Sequence, residues 1–345
     1  MPRRALLVAA LAASAHALSC LDESGAPVAW WAVFKLHGGL DYSYADAVTP
    51  TPAGPLRLTG RSLDCGTGCA LGATLSQLIN NASLLRVTWN DEPAVGAAFG
   101  AASDTSGHAK GVIGADADGG FWLTHSMPKF PLLTGVAAFS WAAGGASTTY
   151  GQNFLCISVD AAELEEAAAG VAHIDPLIYA SAVPAGLSRV YPVLAGVVAG
   201  ARVAGAAKVA VANTAGNAFS CFAKSGSWGK DLWEDLVQAN LGVNMFVETW
   251  RRAPAMESYC TPAYAYDSVN VATMQFLSAA GEPVSFKYTQ DHTKLGLAVN
   301  ATSQQHWLCF ACVCFRAAPR RARRATITHL NDHPPTPCLK QPQRQ

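Results

Sequence analysis

The chain has 345 residues, with 24 Lys+Arg against 24 Asp+Glu, and half of it is apolar. That length gives two domains or one large one, and charged residues at 14% exclude long charged disordered tracts as its main content. The formal net charge of zero argues against a strongly basic nucleic-acid binder, but the total conceals a distribution. Arg3, Arg4 and seven basic residues in 316–345 offset a body, Leu18 to Phe315, with fifteen basic and twenty-three acidic residues, a net of −8. The body is acidic.

Residues 1–17 read as a secretory signal peptide. Arg3 and Arg4 form its positive region, Ala5 to Ala13 its apolar region, and Ala15-His16-Ala17 a small-x-small cleavage site before Leu18. The apolar run is too short to span a bilayer, and the later Val193–Ala215 stretch, interrupted by Arg202 and Lys208, reads as core. Export permits disulfides among the ten cysteines: Cys20, Cys65, Cys69, Cys156, Cys221, Cys260, Cys309, Cys312, Cys314 and Cys338. Cys65 and Cys69 close a local loop or pair elsewhere. Cys309, Cys312 and Cys314 could form a metal knuckle, although no second pair at zinc spacing follows. Asn81 and Asn300 start glycosylation sequons.

Strand-like runs dominate the first half: Val28–Leu36, Leu84–Trp89, Gly111–Ala115, Phe121–Ser126 and Asn153–Val159. Helical spacing appears in Leu71–Leu78, Ala161–Val171 and Asp231–Leu241. The mixture predicts an α/β (α+β) architecture.

One element recurs. His108-Ala109-Lys110 precedes five small or apolar residues and Asp116, and His292-Thr293-Lys294 precedes five more and Asn300. A single His-x-Lys is expected by chance, and surface histidines beside surface lysines are its plain reading. Two copies with matching continuations point to two related halves. In a strand, residues i and i+2 share a face, so each histidine projects with its lysine. Brought together, one neutral imidazole attacks phosphorus, the other, protonated, protonates the departing oxygen, and the lysines hold phosphoryl oxygens. The turn at Asp118-Gly119-Gly120 predicts a hairpin with a four-residue loop, Asp116–Gly119, which sets Lys110 opposite His125. His125 is then either a third site histidine or a structural one.

At these residues the chain resembles the deoxyribonuclease II family, itself similar to the phospholipase D superfamily. The block His108–Phe130, HAKGVIGADADGGFWLTHSMPKF, carries the resemblance most closely. Support comes from Cys20–Leu36, Tyr150-Gly151-Gln152 with Leu155-Cys156, Lys230-Asp231-Leu232 with Leu241-Gly242, and Asp291–Lys294. The resemblance implies a phospholipase D-like fold of two related halves, each a central mixed β-sheet flanked by helices, with the active site at a pseudo-two-fold interface. The halves are expected at 18–165 and 166–315, followed by an atypical tail, 316–345. It implies His108, Lys110, His292, Lys294 and His125 as catalytic, and a Cys20–Cys156 disulfide. The reaction it implies is metal-independent, cofactor-free cleavage of double-stranded DNA in acid, through a phosphohistidine, leaving 3′-phosphate and 5′-hydroxyl ends. The expected compartment is the lysosome, an equivalent acidic vacuole or the exterior, with no stable protein partner.

Three departures qualify this. The superfamily places an Asp five positions after the motif lysine, where this chain has Ala115, and Asp116 lies one further on. Asn300, the second copy's counterpart, is also a sequon. After Cys309 the sequence FACVCFRAAPRRARR leaves the family pattern, so a frameshift or mis-spliced gene model is expected there, and sequencing the transcript across Cys309 tests it. Two other readings stand beside the nuclease: a secreted non-catalytic DNA-binding relative, and a lipid-headgroup phosphodiesterase.

Overall fold

The computed structural model describes residues 18–49, 56–94, 97, 106–141, 146–249, 257–298, 307–311 and 313–316. The signal segment, Asn300 and the tail beyond Arg316 lie outside the described residues. In chain order, β1 (Trp30–Lys35), β2 (Asp41–Asp46) and β3 (Leu58–Ser62) precede α1 (Ala70–Ser76) and β4 (Leu85–Asn90). The hairpin β5 (Lys110–Ala115) and β6 (Gly119–His125) follows, then α2 (Ala146–Thr149), β7 (Gln152–Asp160), α3 (Ala161–His173) and β8 (Ile178–Ala182). These eight strands make one sheet, ordered β3-β2-β1-β7-β6-β5-β4-β8.

The second sheet begins after α4 (Pro192–Val198). It receives β9 (Ala206–Ala212), β10 (Ala218–Lys224), β11 (Met245–Thr249), β12 (Ser268–Asn270), β15 (Lys294–Ala298), β16 (Trp307–Phe310) and β17 (Val313–Arg316). A π-helical segment, Trp233–Gln238, continues as α5 (Ala239–Leu241) between β10 and β11. The strands run β12-β11-β15-β16-β17-β10-β9, while β13 (Thr273–Leu277) and β14 (Pro283–Lys287) form a separate hairpin. The protein is α+β.

A mixed sheet was expected in each half. Only the second is mixed, through the single parallel pair β11–β12; every pairing in the first is antiparallel. Parallel neighbours need a crossover, and β12 follows β11 by a long connection. The first sheet also extends past the expected 165/166 division, since β8 pairs with β4.

The two sheets share a strand plan. Spatial order β1-β7-β6-β5-β4 in one matches β10-β17-β16-β15-β11 in the other, in the same chain order and with every neighbour antiparallel. A helix precedes β4 and another precedes β11. His108-x-Lys110 enters β5 and His292-x-Lys294 enters the matching β15.

Three layers of packing hold this plan. The sheets face each other across α3, which buries Leu164, Ala167, Ala168, Val171 and Ala172 at helical spacing and starts where Asp160 caps the Glu163 amide at 2.9 Å. In β7, Leu155, Ile157 and Val159 face that layer, while Phe154 and Cys156 face a second core under α1. A third core, with Trp233, Leu236 and Val237, covers the outer face of the second sheet. Strands buried on both faces explain why these stretches read as continuous apolar runs.

Cys20 and Cys156 form a disulfide (S–S 2.02 Å) tying the start of the described chain to the middle of β7. Cys65 pairs with Cys69, and Cys309 with Cys314 across the β16–β17 turn. The last bond replaces the metal-knuckle reading. The departure after Cys309 does not interrupt the sheet either: β17 pairs with both β10 and β16, and Phe315 packs on Phe219 at 5.4 Å and on Trp30 at 5.5 Å. Among the described residues, no helix is long and apolar enough to cross a membrane. Val193–Ala215 instead splits into α4 and β9, burying Leu194, Val197 and Val211. Asn81 is exposed in a turn where its carboxamide oxygen accepts from the Ser83 hydroxyl at 2.7 Å.

Candidate active site

Register sets the first motif. Lys110 opens β5 opposite His125 of β6 and Asn90 of β4. The loop is the expected four residues, with Ala115 paired to Gly120. Trp89 lies opposite Gly111, and any side chain there would meet the indole, because a Cβ would fall 2.3 Å from it. Gly111 thus leaves room for the Trp89 ring beside the strand entry.

Asp91, one residue beyond β4, was not singled out in the sequence. It organises the motif. One carboxylate oxygen meets His108 Nδ1 at 2.7 Å and the other binds Lys110 Nζ. Burial alone would raise this carboxyl, but the His108 hydrogen bond and the Lys110 ammonium outweigh it and hold it at about 2. Asp91 therefore keeps its charge throughout mildly acidic pH. With Nδ1 engaged, His108 presents Nε2 to solvent, and its side chain is 49% exposed.

His125 sits deeper. It is 3% exposed, stacked on Phe130 with ring centroids 4.2 Å apart, and flanked by Phe154. Burial, and then the Lys110 ammonium, push its pKa down to about 3, against a smaller opposing pull from Asp91. It shares the Lys110 face, as its register requires, but stays a neutral ring behind the lysine. A depressed histidine pKa penalises the fold in acid, because the unfolded chain takes a proton below about 6.5 and the native one waits until about 3. The penalty reaches about 3 kcal/mol at pH 4.5. His125→Gln is expected to lose less melting temperature than the parent between pH 7 and 4.5; equal losses would show an ordinary histidine.

The second motif is fastened to the first half. The Gly151 amide donates to the Gln290 carbonyl at 2.8 Å, and the His292 amide donates to the Gly151 carbonyl at 3.0 Å. Any side chain at Gly151 would collide with the Asp291 carboxylate, a Cβ lying 2.5 Å from it. Tyr150 stacks on the His292 ring at 3.8 Å, nearly parallel at 14°. The Asn153 carboxamide of β7 brackets the Lys294 backbone, accepting from its amide at 3.4 Å and donating to its carbonyl at 3.5 Å. Strand β7 is thus the template that carries His292 and Lys294 to Lys110.

The charges of this half are set by burial. Lys294 is pushed down to about 8, first by burial and then by Lys110, while Asp291, Asp91 and Glu248 oppose the fall. It remains an ammonium in acid. Asp291, fully buried and bonded to the Thr293 amide and hydroxyl, is raised to about 6 by that burial. Lys35, also fully buried, gives its ammonium to the carbonyls of Leu36 at 2.6 Å and Gly39 at 2.8 Å.

The two copies converge. His108, Lys110, His292 and Lys294 line one small cleft with Glu92, Ser126 and Pro128. His125 is not among its lining residues. Asp116 stands at the far end of β5, where it caps the hairpin through the Asp118 and Gly119 amides. Among the described residues, no group of three His, Cys, Asp or Glu could hold a metal ion.

Comparison with known proteins supplies the family. The sequence profile of the deoxyribonuclease II family matches residues 19–313. The chain belongs to the deoxyribonuclease II family. Deoxyribonuclease-2-alpha of Sus scrofa is 32% identical over 321 residues, 88% of this chain and 83% of that protein. The Rattus norvegicus protein of the same name is 32% identical over 326 residues, covering 89% and 88%. Deoxyribonuclease-2 of Caenorhabditis elegans is 29% identical over 333 residues, covering 85% and 84%. The protein is accordingly a deoxyribonuclease II-type nuclease, a hydrolase with the α+β, phospholipase D-like fold of that family.

Proposed function

We propose that this deoxyribonuclease hydrolyses double-stranded DNA without metal, in acid, from the cleft built by the two His-x-Lys copies. The observation that carries the reading is the convergence of both histidines and both lysines on one cleft. One neutral imidazole attacks phosphorus through Nε2 and breaks the bond to the 5′-oxygen. The other, protonated, gives its proton to that oxygen, leaving a 5′-hydroxyl. Water then displaces the histidine, activated by the second imidazole, and the 3′-phosphate departs. Lys110 and Lys294 hold the non-bridging oxygens, where charge builds in both steps. Asp91 fixes the His108 ring and balances positive charge on it, and Tyr150 holds the His292 plane.

Acidic operation follows from the charges. The chemistry needs one neutral and one protonated imidazole in the cleft, with the surrounding charges held in mild acid. Lys294, at about 8, and Asp91, at about 2, are both charged in that range. Removal of a signal segment before Leu18 fits the same reading. The Leu18 nitrogen lies 3.0 Å from the Asp116 carboxylate, so the new α-ammonium would gain an ion pair. The exposed Asn81 sequon supports a glycosylated, exported protein bound for an acidic compartment.

The test is supercoiled plasmid at pH 5 in excess EDTA. Nicking is expected at an undiminished rate, with ends that a polymerase extends only after phosphatase treatment. Activity that appears only with added Mg²⁺ would refute the proposal.

A further inference from the structure

A body of net charge −8 repels a polyanion except where its cations gather without counter-charges. Among the described residues the ion pairs are Arg61–Glu23, His108–Asp91, Lys110–Asp91 and Arg202–Asp175. Lys208, Lys224 and Lys230 take part in none of them, and the three sit together.

Register and turn geometry gather them. Lys208 of the edge strand β9 pairs with Phe222 of β10, and Lys224 lies two residues further along β10, so both lysines project from one face of the sheet. The Lys208 ammonium stands 5.8 Å from the centroid of the Phe222 ring. Beyond β10 the 3₁₀ turn Gly226–Trp228 is pinned by Ser225, whose hydroxyl accepts from the Gly205 amide at 2.9 Å. Gly229, in the left-handed region at φ 70°, then turns the chain, and the Lys230 ammonium comes to 5.8 Å from the Trp228 ring, where that of Lys224 already lies at 5.9 Å. One indole thus holds two cations. Lys208 and Lys230 are exposed, and Lys224 and Trp228 half-buried. The acids that follow in sequence are turned away. Asp231 accepts from the Trp233 and Glu234 amides at 2.8 and 2.9 Å, and Asp235 from the Asp231 amide at 2.8 Å, which spends both carboxylates on the next helical segment.

This ridge runs into the site. Phe222 and Lys224 line a cavity of about 330 Å³ whose walls also include His108, Lys110 and Lys294, and those last three line the phosphate cleft. We propose that Lys208, Lys224 and Lys230 are a track for the DNA backbone beside the cleft, each neutralising one phosphate of the strand that leads away from the scissile bond. This rests on the nuclease reading and carries its substrate contacts beyond the reacting phosphate. The rings beneath hold the ammonium groups in place without cancelling their charge, so the charge is left for phosphate. Contacts to phosphates alone position a duplex without reading its sequence.

The test measures binding of the full chain to a labelled duplex at pH 5 in EDTA, in a His108→Ala background that prevents cleavage. Affinity should fall with salt, and the slope of log Kd against log salt should drop by about one for each of Lys208→Gln, Lys224→Gln and Lys230→Gln, and by about three for the triple variant. Arginine at the same positions should restore the slope, and a melting curve checks that each variant folds. With both histidines in place, the triple variant should nick plasmid with a KM raised ten-fold or more and a kcat close to that of the parent. A slope unchanged in the triple variant would overturn the track, even if the parent nicks plasmid as expected. Weakened binding to anionic lipid vesicles with an unchanged DNA slope would also overturn it, and would give the lysines to a membrane surface. A lowered slope in a protein whose parent cuts no DNA would support the track and sink the nuclease mechanism instead.

Discussion

Alanine at His108 or at His292 is expected to slow plasmid nicking at pH 5 by roughly 10⁴-fold or more, and the double variant to be no slower than either single one. The reason is that the two imidazoles act as one unit. Without the nucleophile no covalent step occurs, and without the proton donor the 5′-oxygen must leave as an alkoxide. Removing the second member of a unit that is already broken costs nothing further. The cleft would keep Lys110 and Lys294, so DNA binding should survive in all three variants. Additive losses in the double variant would show that the two motifs serve different sites.

Asp91→Asn is expected to lower kcat by roughly 10²-fold or more with little change in KM, because positioning is lost and phosphate binding is not. An amide can turn either its oxygen or its NH₂ toward His108 Nδ1, so the ring no longer has one tautomer, and Lys110 loses its counter-charge. Lys110 has a side chain only 3% exposed, and an unbalanced buried ammonium destabilises the fold. The melting temperature should therefore drop at neutral pH. The sign with pH follows from the depressed carboxyl: its stabilisation is present above about pH 4 and fades toward pH 2. Parent and variant should thus converge in stability as pH falls through that window. Asp91→Glu should recover part of kcat. A fall confined to KM, or no rescue by Glu, would reduce Asp91 to a structural role.

Much of this site was legible because its signals are local. The Asp118-Gly119-Gly120 turn sets the β5–β6 register, and that register alone pairs Lys110 with His125. The spacing of Leu164, Ala167, Ala168 and Val171 marks α3 as the helix between the sheets. The paired His-x-Lys copies pointed to two related halves, and matched strands β5 and β15 carry them. What could not be read depends on pairings between distant segments. Asp91 reaches its partners only because β4 runs beside β5, across an intervening stretch of chain with no sequence signal for the pairing. His125 was placed on the correct face, but the rings that cover it arrive from Phe130 and Phe154. Small-residue strands such as β9, AAKVAVA, lack an apolar alternation strong enough to announce themselves. Neutral overall charge was the least informative feature. It summed an acidic body with basic ends, whereas the cleft concentrates two lysines and two histidines within that body.

The most direct measurement traps the covalent species. A single-turnover reaction with a short duplex at pH 5, quenched into alkaline denaturant where phosphoramidates persist, is digested and mapped by mass spectrometry. A DNA 3′-phosphoryl adduct is expected on the imidazole of His108 or His292, and none in the double alanine variant. An adduct on any residue outside the two motifs, or one equally abundant in the double variant, would contradict it.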